Sequence, residues 1–375
     1  MNIDTFKVEE WFNIYEHWAK YDLADTCVDS LTVNELFEIA GNKEVELASI
    51  YDTKLNYGAI HGSDRLKNAI VSLYTKQTDK NITVTHGTIG ANQLVIHTLI
   101  NAGDKVVSIV PTYQQHYSIP KSIGANLSMF FLKEENNWIP DIEELKKTVG
   151  SNTKLICLNN PNNPTGAVIP DKILDEIVQI TRNSNAYILC DEVYRGLIHN
   201  GEPFGKSIAD IYEKGISTSG VSKTFSLAGL RLGWVAAPQD VINMINRQRE
   251  YNTISVGIID DRLATIAIEN KDKIIKRNIN KISTGKNILS SWLNSERHVH
   301  CVLPNAGTTA FVGYDFNMNS SEMCAKLQKD TGVMLLPGDT MEMDKYLRIG
   351  YGNNFSQLKT ALDIFSDWIK ANNLK

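Results

Sequence analysis

The chain has 375 residues and a net charge of −5, with 42% hydrophobic and 22% charged residues. This length exceeds one ordinary core, so we expect two domains of a soluble globular protein. The charge gives no reason to expect a nucleic-acid or anionic-membrane partner, and no apolar run approaches the roughly 18 residues of a transmembrane helix.

The N-terminal part predicts helices that pack on a neighbouring domain or subunit. Residues 5–20 carry aromatic and aliphatic side chains at helical spacing. Residues 23–41 predict an extended stretch, a turn and a short helix that begins after Thr32 and stops at Gly41. The absence of a secretory signal pattern, together with five scattered cysteines without CxxC spacing, predicts a reducing cytoplasm.

A regular alternation of strands and helices follows a helix predicted at about 63–77. Continuous apolar strands of this kind indicate an α/β domain with a mostly parallel sheet flanked by helices on both faces. The strands are predicted at 81–84, 105–110, 127–132, 155–158, 187–190, 215–219 and 233–237.

The pattern changes after a helical region at residues 240–295. Strands near 299–303, 308–313 and 346–350 and helices near 321–331 and 355–372 predict a smaller α+β domain. We therefore expect a large domain at 45–285 and a small domain formed by 1–44 and 286–375.

The stretch SGVSKTFSLAGLRLGW holds a lysine, Lys223, and an arginine, Arg231, among small residues. A desolvated lysine has a lowered pKa and can act as a Schiff-base amine, and an arginine can grip a phosphate bidentately. Together they suggest pyridoxal 5'-phosphate (PLP), which carries an aldehyde and a phosphate. Taken alone, the pair is equally consistent with loop residues that bind surface carboxylates.

Further polar residues follow other predicted strands, where ligands bind in open α/β sheets. Asp191 can pair with a protonated pyridine nitrogen, and Tyr194 and Asn163 can donate to the phenolate oxygen of the same ring. A single aspartate at the end of a strand is usually explained by helix capping or turn formation. Capping and turn formation explain poorly why four polar residues follow successive strands of one sheet, namely Asn163, Asp191, Lys223 and Arg231.

Three more groups of residues fit the same ligand. Backbone amides of Gly87, Thr88 and Ile89 lie at a strand-to-helix turn and can bind a phosphate. Tyr113 can stack on the ring or simply pack in the core. Arg348, inside an apolar strand, either has an internal partner or binds a substrate carboxylate.

Tyr57 and two histidines give weaker evidence about ligands than the residues above. Tyr57 is either a phosphate-binding residue or a loop aromatic. His298 and His300 alternate along a predicted strand, but no carboxylate or cysteine set completes a metal site, so we expect no metal.

With these residues assembled, the sequence resembles the class I/II aminotransferases, PLP enzymes of fold type I with an aspartate-aminotransferase-like fold. The resemblance covers nearly the whole chain. The motifs that carry it are NNPNNPTG, DEVY and SKTFSLAGLRLGW, in that order and at family-like separations.

The resemblance implies a role for each residue. Lys223 is then the Schiff-base lysine and proton shuttle, and Arg348 binds the substrate α-carboxylate with help from Asn163. Tyr57 reaches the phosphate of the neighbouring subunit, which implies a homodimer with shared active sites. The implied cofactor contacts are Asp191 to the ring nitrogen, Tyr194 and Asn163 to the phenolate oxygen, Tyr113 to the ring face, and Arg231, Ser222 and residues 87–89 to the phosphate.

The implied reaction is transamination between an amino acid and a 2-oxo acid. Two departures from the family pattern matter: the first bears on phosphate affinity more than on the type of reaction, and the second bears on the reaction itself. Gly220 replaces the serine or threonine that often binds the phosphate, and LADTCVDSLTVNEL replaces the usual glycine-rich substrate loop. That segment is similar to the one in a subgroup that includes capreomycidine synthase, so a lyase or cyclase is an alternative to the aminotransferase.

A non-catalytic, ligand-sensing aminotransferase-like protein is a more remote alternative. Such regulators carry a DNA-binding region, and the chain has no room for one before residue 50 and no basic patch.

Overall fold

The structure, a computed structural model, describes residues 2–372. Its N-terminal part is mainly helical. Thr32 and Glu35 form a reciprocal capping box at the start of the second helix, and Gly41 ends that helix in a left-handed conformation, as predicted. The elements are α1 (Lys7–Tyr15), β1 (Tyr21–Asp22), α2 (Val33–Ala40), α3 (Lys43–Tyr51) and α4 (Asp64–Val71).

The strand–helix alternation follows, close to its predicted positions. The sequence predicts that Pro120 interrupts its helix, but the helix Gln115–Ile123 continues through Pro120. The elements are β2 (Ile82–His86), α5 (Gly87–Leu99), β3 (Lys105–Val110), α6 (Gln115–Ile123), β4 (Asn126–Phe131), α7 (Ile142–Thr148), β5 (Thr153–Asn159), α8 (Asp171–Asn183), β6 (Tyr187–Asp191), α9 (Ile208–Ile211), β7 (Gly215–Gly220) and β8 (Leu232–Ala236).

The C-terminal part contains three consecutive helices and a second set of strands. The region predicted as helical throughout is broken at residues 250–257 and 270, and the first strand after it is shorter than predicted. The elements are α10 (Gln239–Arg249), α11 (Ile258–Glu269), α12 (Lys271–Ser295), β9 (Val299–His300), β10 (Thr309–Tyr314), α13 (Ser320–Thr331), β11 (Val333–Met334), β12 (Leu336–Pro337), β13 (Tyr346–Gly350) and α14 (Phe355–Ala371).

The large sheet has seven strands in the order β2-β8-β7-β6-β5-β3-β4. All its pairings are parallel except those of β8, which runs antiparallel to both neighbours. Along β5, Leu155 and Cys157 pack in the core on one face, whereas Ile156 and Leu158 pack in the core on the other. Both faces are thus covered, and the predicted mostly parallel sheet flanked by helices is confirmed.

A smaller antiparallel sheet, β12-β13-β10-β9, lies beside the short parallel pair β1-β11. Helix α12 contributes to two cores, because Ile274 packs with the large-sheet residues whereas Leu289 and Trp292 pack with the small sheet. The division of the chain at residues 45 and 285 stays a prediction.

The topology brings the C-terminal ends of β3, β5, β6 and β7 to one edge of the large sheet, where ligands bind in open α/β folds. The ends of β5, β6 and β7 lead into the three motifs of the sequence, and the end of β3 leads to Tyr113. Among the helices of residues 2–372, none is both long and apolar enough to cross a bilayer.

Candidate active site

A cavity of about 510 Å³ opens at this sheet edge. Its volume is in the range of small-molecule sites, which are roughly 300–1,000 Å³. The structure brings together most of the residues predicted from the sequence, and those that line the cavity are Thr88, Ile89, Tyr113, Asn163, Asp191, Tyr194, Ser222, Lys223, Arg231 and Arg348.

Two predicted residues do not line the cavity. Gly87 is the first residue of α5 and lies beneath the Arg231 side chain, since a Cβ atom on it would be 3.0 Å from Arg231 Nη2. Tyr57 lies outside the cavity of its own chain and is 78% exposed. Its contact with a neighbouring subunit stays a prediction.

Asp191 is the last residue of β6, and its carboxylate is buried. Oδ1 accepts a hydrogen bond of 3.0 Å from the Val193 amide, and Oδ2 accepts one of 2.8 Å from Asn92 Nδ2. Asn92 is itself held by Thr218 Oγ1, which donates to its Oδ1 over 2.6 Å. Burial raises the pKa of Asp191 to about 6, although these hydrogen bonds oppose the shift.

Lys223 lies in the turn after β7 and is held by the N-terminal segment. Its Nζ donates to Thr26 Oγ1 over 2.6 Å and to Cys27 Sγ over 3.2 Å. Burial lowers the pKa of the amine, but nearby Tyr194, Cys27 and Asp25 favour the ammonium form, and the net shift of the pKa is upward. The predicted lowering of the Lys223 pKa is therefore wrong, because desolvation does not act alone.

Arg348, in the centre of β13, is 3% exposed. Its Nη1 donates to Asn163 Oδ1 over 3.3 Å and its Nη2 to the Ala24 carbonyl over 2.9 Å, whereas Nε has no hydrogen-bond partner among residues 2–372. Burial lowers the pKa of this guanidinium. A buried arginine with no carboxylate partner and a free donor is suited to bind an anion that enters the cavity.

Arg231 adopts a left-handed backbone conformation, with φ of 50°, which is uncommon for a residue with a side chain. Its Nη1 donates to the Ala228 carbonyl over 3.0 Å. The guanidinium lies on Gly87 at the N-terminus of α5, so that an arginine and a helix N-terminus converge. This combination favours a phosphate.

The structure gives a reason for the unusual glycine at position 220. A Cβ atom on Gly220 would lie 2.7 Å from Thr88 Oγ1 and 2.9 Å from the Leu232 carbonyl oxygen. The Thr88 hydroxyl therefore occupies the space that a serine or threonine at 220 would need, and this hydroxyl is buried without a hydrogen-bond partner among the described residues.

Two tyrosines, Tyr113 and Tyr194, complete the walls of the cavity. The Tyr113 hydroxyl donates to Glu9 Oε1 over 3.1 Å, and the ring packs against Phe6 with 4.9 Å between centroids. Tyr194 is 2% exposed, and its hydroxyl makes no hydrogen bond of good geometry. Burial raises the pKa of both phenols, so each is protonated at neutral pH.

Sequence reasoning missed several residues at this site. Asn92 is a polar residue among the apolar residues of α5, a signal that could have been noticed. Thr26, Cys27, Glu9 and Asp25 come from the N-terminal part, which carries no motif that links it to Lys223. They reach the site only through the fold.

The family model described as aminotransferase class I and II matches residues 30–365. Among curated proteins, capreomycidine synthase of Streptomyces vinaceus is 27% identical over 96% of this chain and 92% of its own length. Aspartate aminotransferase of Pyrococcus horikoshii is 26% identical over 86% of this chain and 85% of its own.

Among solved structures, a PLP-dependent aminotransferase of Streptococcus suis matches with a TM-score of 0.95 and 40% identity, covering 99% of both chains. Family model, curated relatives and solved structure agree on the predicted resemblance. The chain belongs to the aminotransferase class I and II family.

Proposed function

We propose that this chain is a PLP-dependent aminotransferase that moves an amino group between an amino acid and a 2-oxo acid. The observation that carries the proposal is the convergence of the Lys223 amine, the buried Asp191 carboxylate and the buried Arg348 guanidinium on one cavity. Each is the residue type that one part of the cofactor or substrate requires.

The cavity residues fit the cofactor, because they include donors that the protein leaves unpaired. Thr88 Oγ1, the Tyr194 hydroxyl and Arg348 Nε are all buried without a hydrogen-bond partner in the described part of the chain, and all three residues line the cavity. Buried polar atoms without partners are destabilising and rare in native proteins. A phosphate, a phenolate oxygen and a substrate carboxylate would each supply an acceptor.

The residues that would hold the cofactor divide by its parts. Asp191 would pair with the pyridine nitrogen, Tyr194 and Asn163 would donate to the phenolate oxygen, and Tyr113 would stack on the ring. The phosphate is held by Arg231, Ser222, Thr88 and the amides of Gly87 and Ile89. In this account the Thr88 hydroxyl takes over the contact that Gly220 lacks.

The cofactor supplies an electron sink that stabilises negative charge at the substrate α-carbon. Lys223 would hold the cofactor through Nζ, and the same amine would serve as the base that moves the proton at the substrate α-carbon. Thr26 and Cys27, which contact Nζ, hold the amine in position. Arg348 exchanges its contact with Asn163 or Ala24 for the substrate carboxylate, which orients the α-carbon toward Nζ.

The proposal includes a homodimer with shared active sites. Several large apolar side chains are more than half exposed on the segments 51–60 and 251–254, namely Tyr51, Leu55, Tyr57, Ile60, Tyr251 and Ile254. These segments are adjacent, because Gly58 packs against Val256 and Ile258. A contiguous apolar surface of this kind favours a subunit interface. From it Tyr57 would reach the partner's phosphate.

A cytoplasmic location is part of the same proposal. All five cysteines are free thiols, which fits a reducing compartment.

A lyase or cyclase is the second candidate. It is favoured by the N-terminal segment, in which Thr26 and Cys27 contact the catalytic amine, and by the similarity to capreomycidine synthase over 96% of the chain. Both reactions begin with removal of the same α-proton, so Lys223 has the same role in both.

The test is the half-reaction of the cofactor-loaded protein with single amino acids, followed by absorbance. Transamination predicts loss of the lysine-bound cofactor absorbance with release of one 2-oxo acid. Ammonia with pyruvate, or a cyclic product, would instead establish the lyase or cyclase. Lys223→Ala should lower the rate by about 100- to 10,000-fold, whereas Lys214→Ala, at a half-buried position that does not line the cavity, serves as the control. Full activity of Lys223→Ala would exclude both.

A further inference from the structure

Asn92, on α5, is a buried polar side chain to which the proposed function assigns no task. It is 1% exposed, and its helix neighbours Ala91, Leu94 and Val95 belong to an apolar core. A buried side-chain amide is unfavourable unless its polar atoms are hydrogen-bonded. Both ends of the Asn92 amide are hydrogen-bonded, and the two partners lie on neighbouring strands of the large sheet, β6 and β7.

The two hydrogen bonds give the amide a single orientation. Thr218 Oγ1 donates to Asn92 Oδ1 over 2.6 Å, whereas the Cys190 carbonyl oxygen is 3.5 Å from the same hydroxyl. Because a hydroxyl has one hydrogen and Oδ1 can only accept, Nδ2 is the amide atom that faces Asp191, to which it donates over 2.8 Å. The chain of donors thus runs from Thr218 through Asn92 to Asp191 and ends on a carboxylate oxygen.

This direction favours the ionised form of Asp191. A carboxylate only accepts hydrogen bonds, and its two oxygens have about four acceptor positions. Donors to these oxygens stabilise the ionised form more than the protonated form, which has less negative charge. Asn92 and the Val193 amide take one position on each oxygen. The ionised carboxylate therefore keeps acceptor positions for a donor in the cavity, which Asp191 lines.

The titratable groups around Asp191 leave Asn92 with a large share of this effect. Burial raises the pKa of Asp191, and the hydrogen bond from Asn92 is the largest influence that opposes burial. Glu192 raises the pKa of Asp191 further, whereas Lys223 lowers it. The charge of Asp191 in turn raises the pKa of Tyr113 and of Cys190, and both of these groups are neutral at pH 7.

Asn92 shares a helix face with a phosphate-binding residue of the proposed function. Thr88 and Asn92 are four positions apart on α5, so their side chains lie on the same side of the helix, about 6 Å apart along its axis. Both line the cavity together with Asp191. One rigid helix would thus set the spacing between the phosphate at its N-terminus and the ring nitrogen at Asp191.

We propose that Asn92, oriented by Thr218, is a positioning residue that keeps Asp191 ionised and directs its free acceptor positions toward the ring nitrogen of the ligand. Through Asp191 it would keep that nitrogen protonated, the form in which the ring withdraws electrons most strongly. The inference rests on the proposed function for the identity of the ring. The effect on Asp191 itself needs no ligand and can be measured without one.

The first test follows the Asp191 carboxyl in the cofactor-free protein. Carbon-13 NMR of protein labelled at the aspartate carboxyl carbons gives its titration midpoint, and the signal is identified by its absence from Asp191→Asn. The midpoint should lie near pH 6 in the wild type. Asn92→Leu, of similar size but without the donor, should raise it by about one pH unit or more, because the ionised form loses a charge-assisted hydrogen bond.

Variants of Thr218 separate orientation from packing. Thr218→Val keeps the shape and removes the hydroxyl that orients the amide, so the midpoint should rise by about half a pH unit or more. Thr218→Ser keeps the hydroxyl and should stay near the wild type. Thr83→Val is the matched control, because Thr83 is also buried and donates to an asparagine, Asn246 Oδ1, over 2.7 Å.

A purely structural role would lower stability without moving the midpoint. An unchanged midpoint in folded Asn92→Leu or Thr218→Val would overturn the inference. A rise of the same size in Thr83→Val would overturn it as well, because the effect would then not be specific to the contact with Asp191.

Cofactor binding separates this inference from the proposed function. With PLP labelled with nitrogen-15 in the ring, the bound nitrogen should stay protonated to a higher pH in the wild type than in Asn92→Leu, which should bind PLP about tenfold more weakly at pH 8. If PLP binds the wild type but the midpoint is the same in all variants, the inference fails and the aminotransferase proposal stands. If PLP does not bind the wild type, the proposed function fails, whereas a raised midpoint would still establish that Asn92 keeps Asp191 ionised.

Discussion

Replacing Asp191 with asparagine removes the negative charge at the end of β6 and keeps the size of the side chain. In the folded protein the pKa of Asp191 is raised from 3.8 to about 6 by burial. The folded state therefore holds this proton more tightly than the unfolded chain does. The carboxyl favours the folded state at low pH, and that contribution is lost as pH rises from about 4 to above 6.

The size of this effect on the free energy of unfolding follows from the shift in the pKa of Asp191. About two pKa units at 1.36 kcal/mol each make the ionised carboxylate unfavourable by about 3 kcal/mol at neutral pH in the protein without cofactor. Between pH 5 and pH 8, where acid unfolding interferes less, the wild type should lose about 1.4 kcal/mol through this group. Asp191→Asn has no titrating group and should lack that loss. Its free energy of unfolding should be lower by about 1 kcal/mol at every pH. The side-chain amide replaces one carboxylate oxygen by an NH2 group, so it cannot accept hydrogen bonds from both the Val193 amide and Asn92 Nδ2 in the same way.

The assay is urea unfolding of the cofactor-free protein at fixed concentration across this pH range. Glu202→Gln, in an exposed loop, is the control and should follow the wild type. With cofactor bound, the wild type should be the more stable of the two proteins. Asp191→Asn loses a charge-assisted hydrogen bond to the cofactor, which should weaken cofactor binding by about 10- to 100-fold. Identical pH profiles for Asp191→Asn and the wild type would refute the electrostatic account of this site.

Four further variants test the packing and the substrate site. Gly220→Ala should cost about 1–3 kcal/mol of stability in urea unfolding because its Cβ meets the Thr88 hydroxyl. Thr88→Ala should recover part of that loss, and strict additivity of the two changes would contradict the contact. Arg348→Gln should weaken amino-acid binding by about 10- to 100-fold while cofactor affinity, measured by fluorescence, stays near the wild type. Gly285→Ala in α12 should destabilise by more than about 2 kcal/mol in the same unfolding assay, because its Cβ would collide with the Tyr351 carbonyl oxygen. Helix propensity alone predicts a gain of about 1 kcal/mol, so a stabilised Gly285→Ala would show that the contact relaxes.

The fold and half of the site follow from local patterns. The strands could be predicted from continuous apolar runs, because β5 and its neighbours are covered by core residues on both faces of the sheet. Asp191 and Lys223 could be found because parallel strands bring their C-terminal ends to one edge, whatever the rest of the chain does. The short strands β11 and β12, with two residues each, were missed, since two residues carry no periodicity.

The remaining contacts depend on tertiary distances that no local pattern encodes. Thr26 and Lys223 are 197 positions apart, and Asn92 and Asp191 are 99 apart. The pKa of Lys223 was predicted in the wrong direction for the same reason, because the groups around it come from distant segments. Gly220 looked like a missing contact until the position of Thr88 explained it.

The account depends most on Lys223 as the residue that attaches the cofactor. Borohydride reduction of the cofactor-loaded protein, followed by peptide mass spectrometry, tests this directly. The account predicts a pyridoxyl phosphate group on Lys223, absent from Lys223→Ala and retained in Lys214→Ala. A cofactor attached to another lysine, or none attached after reduction, would contradict it.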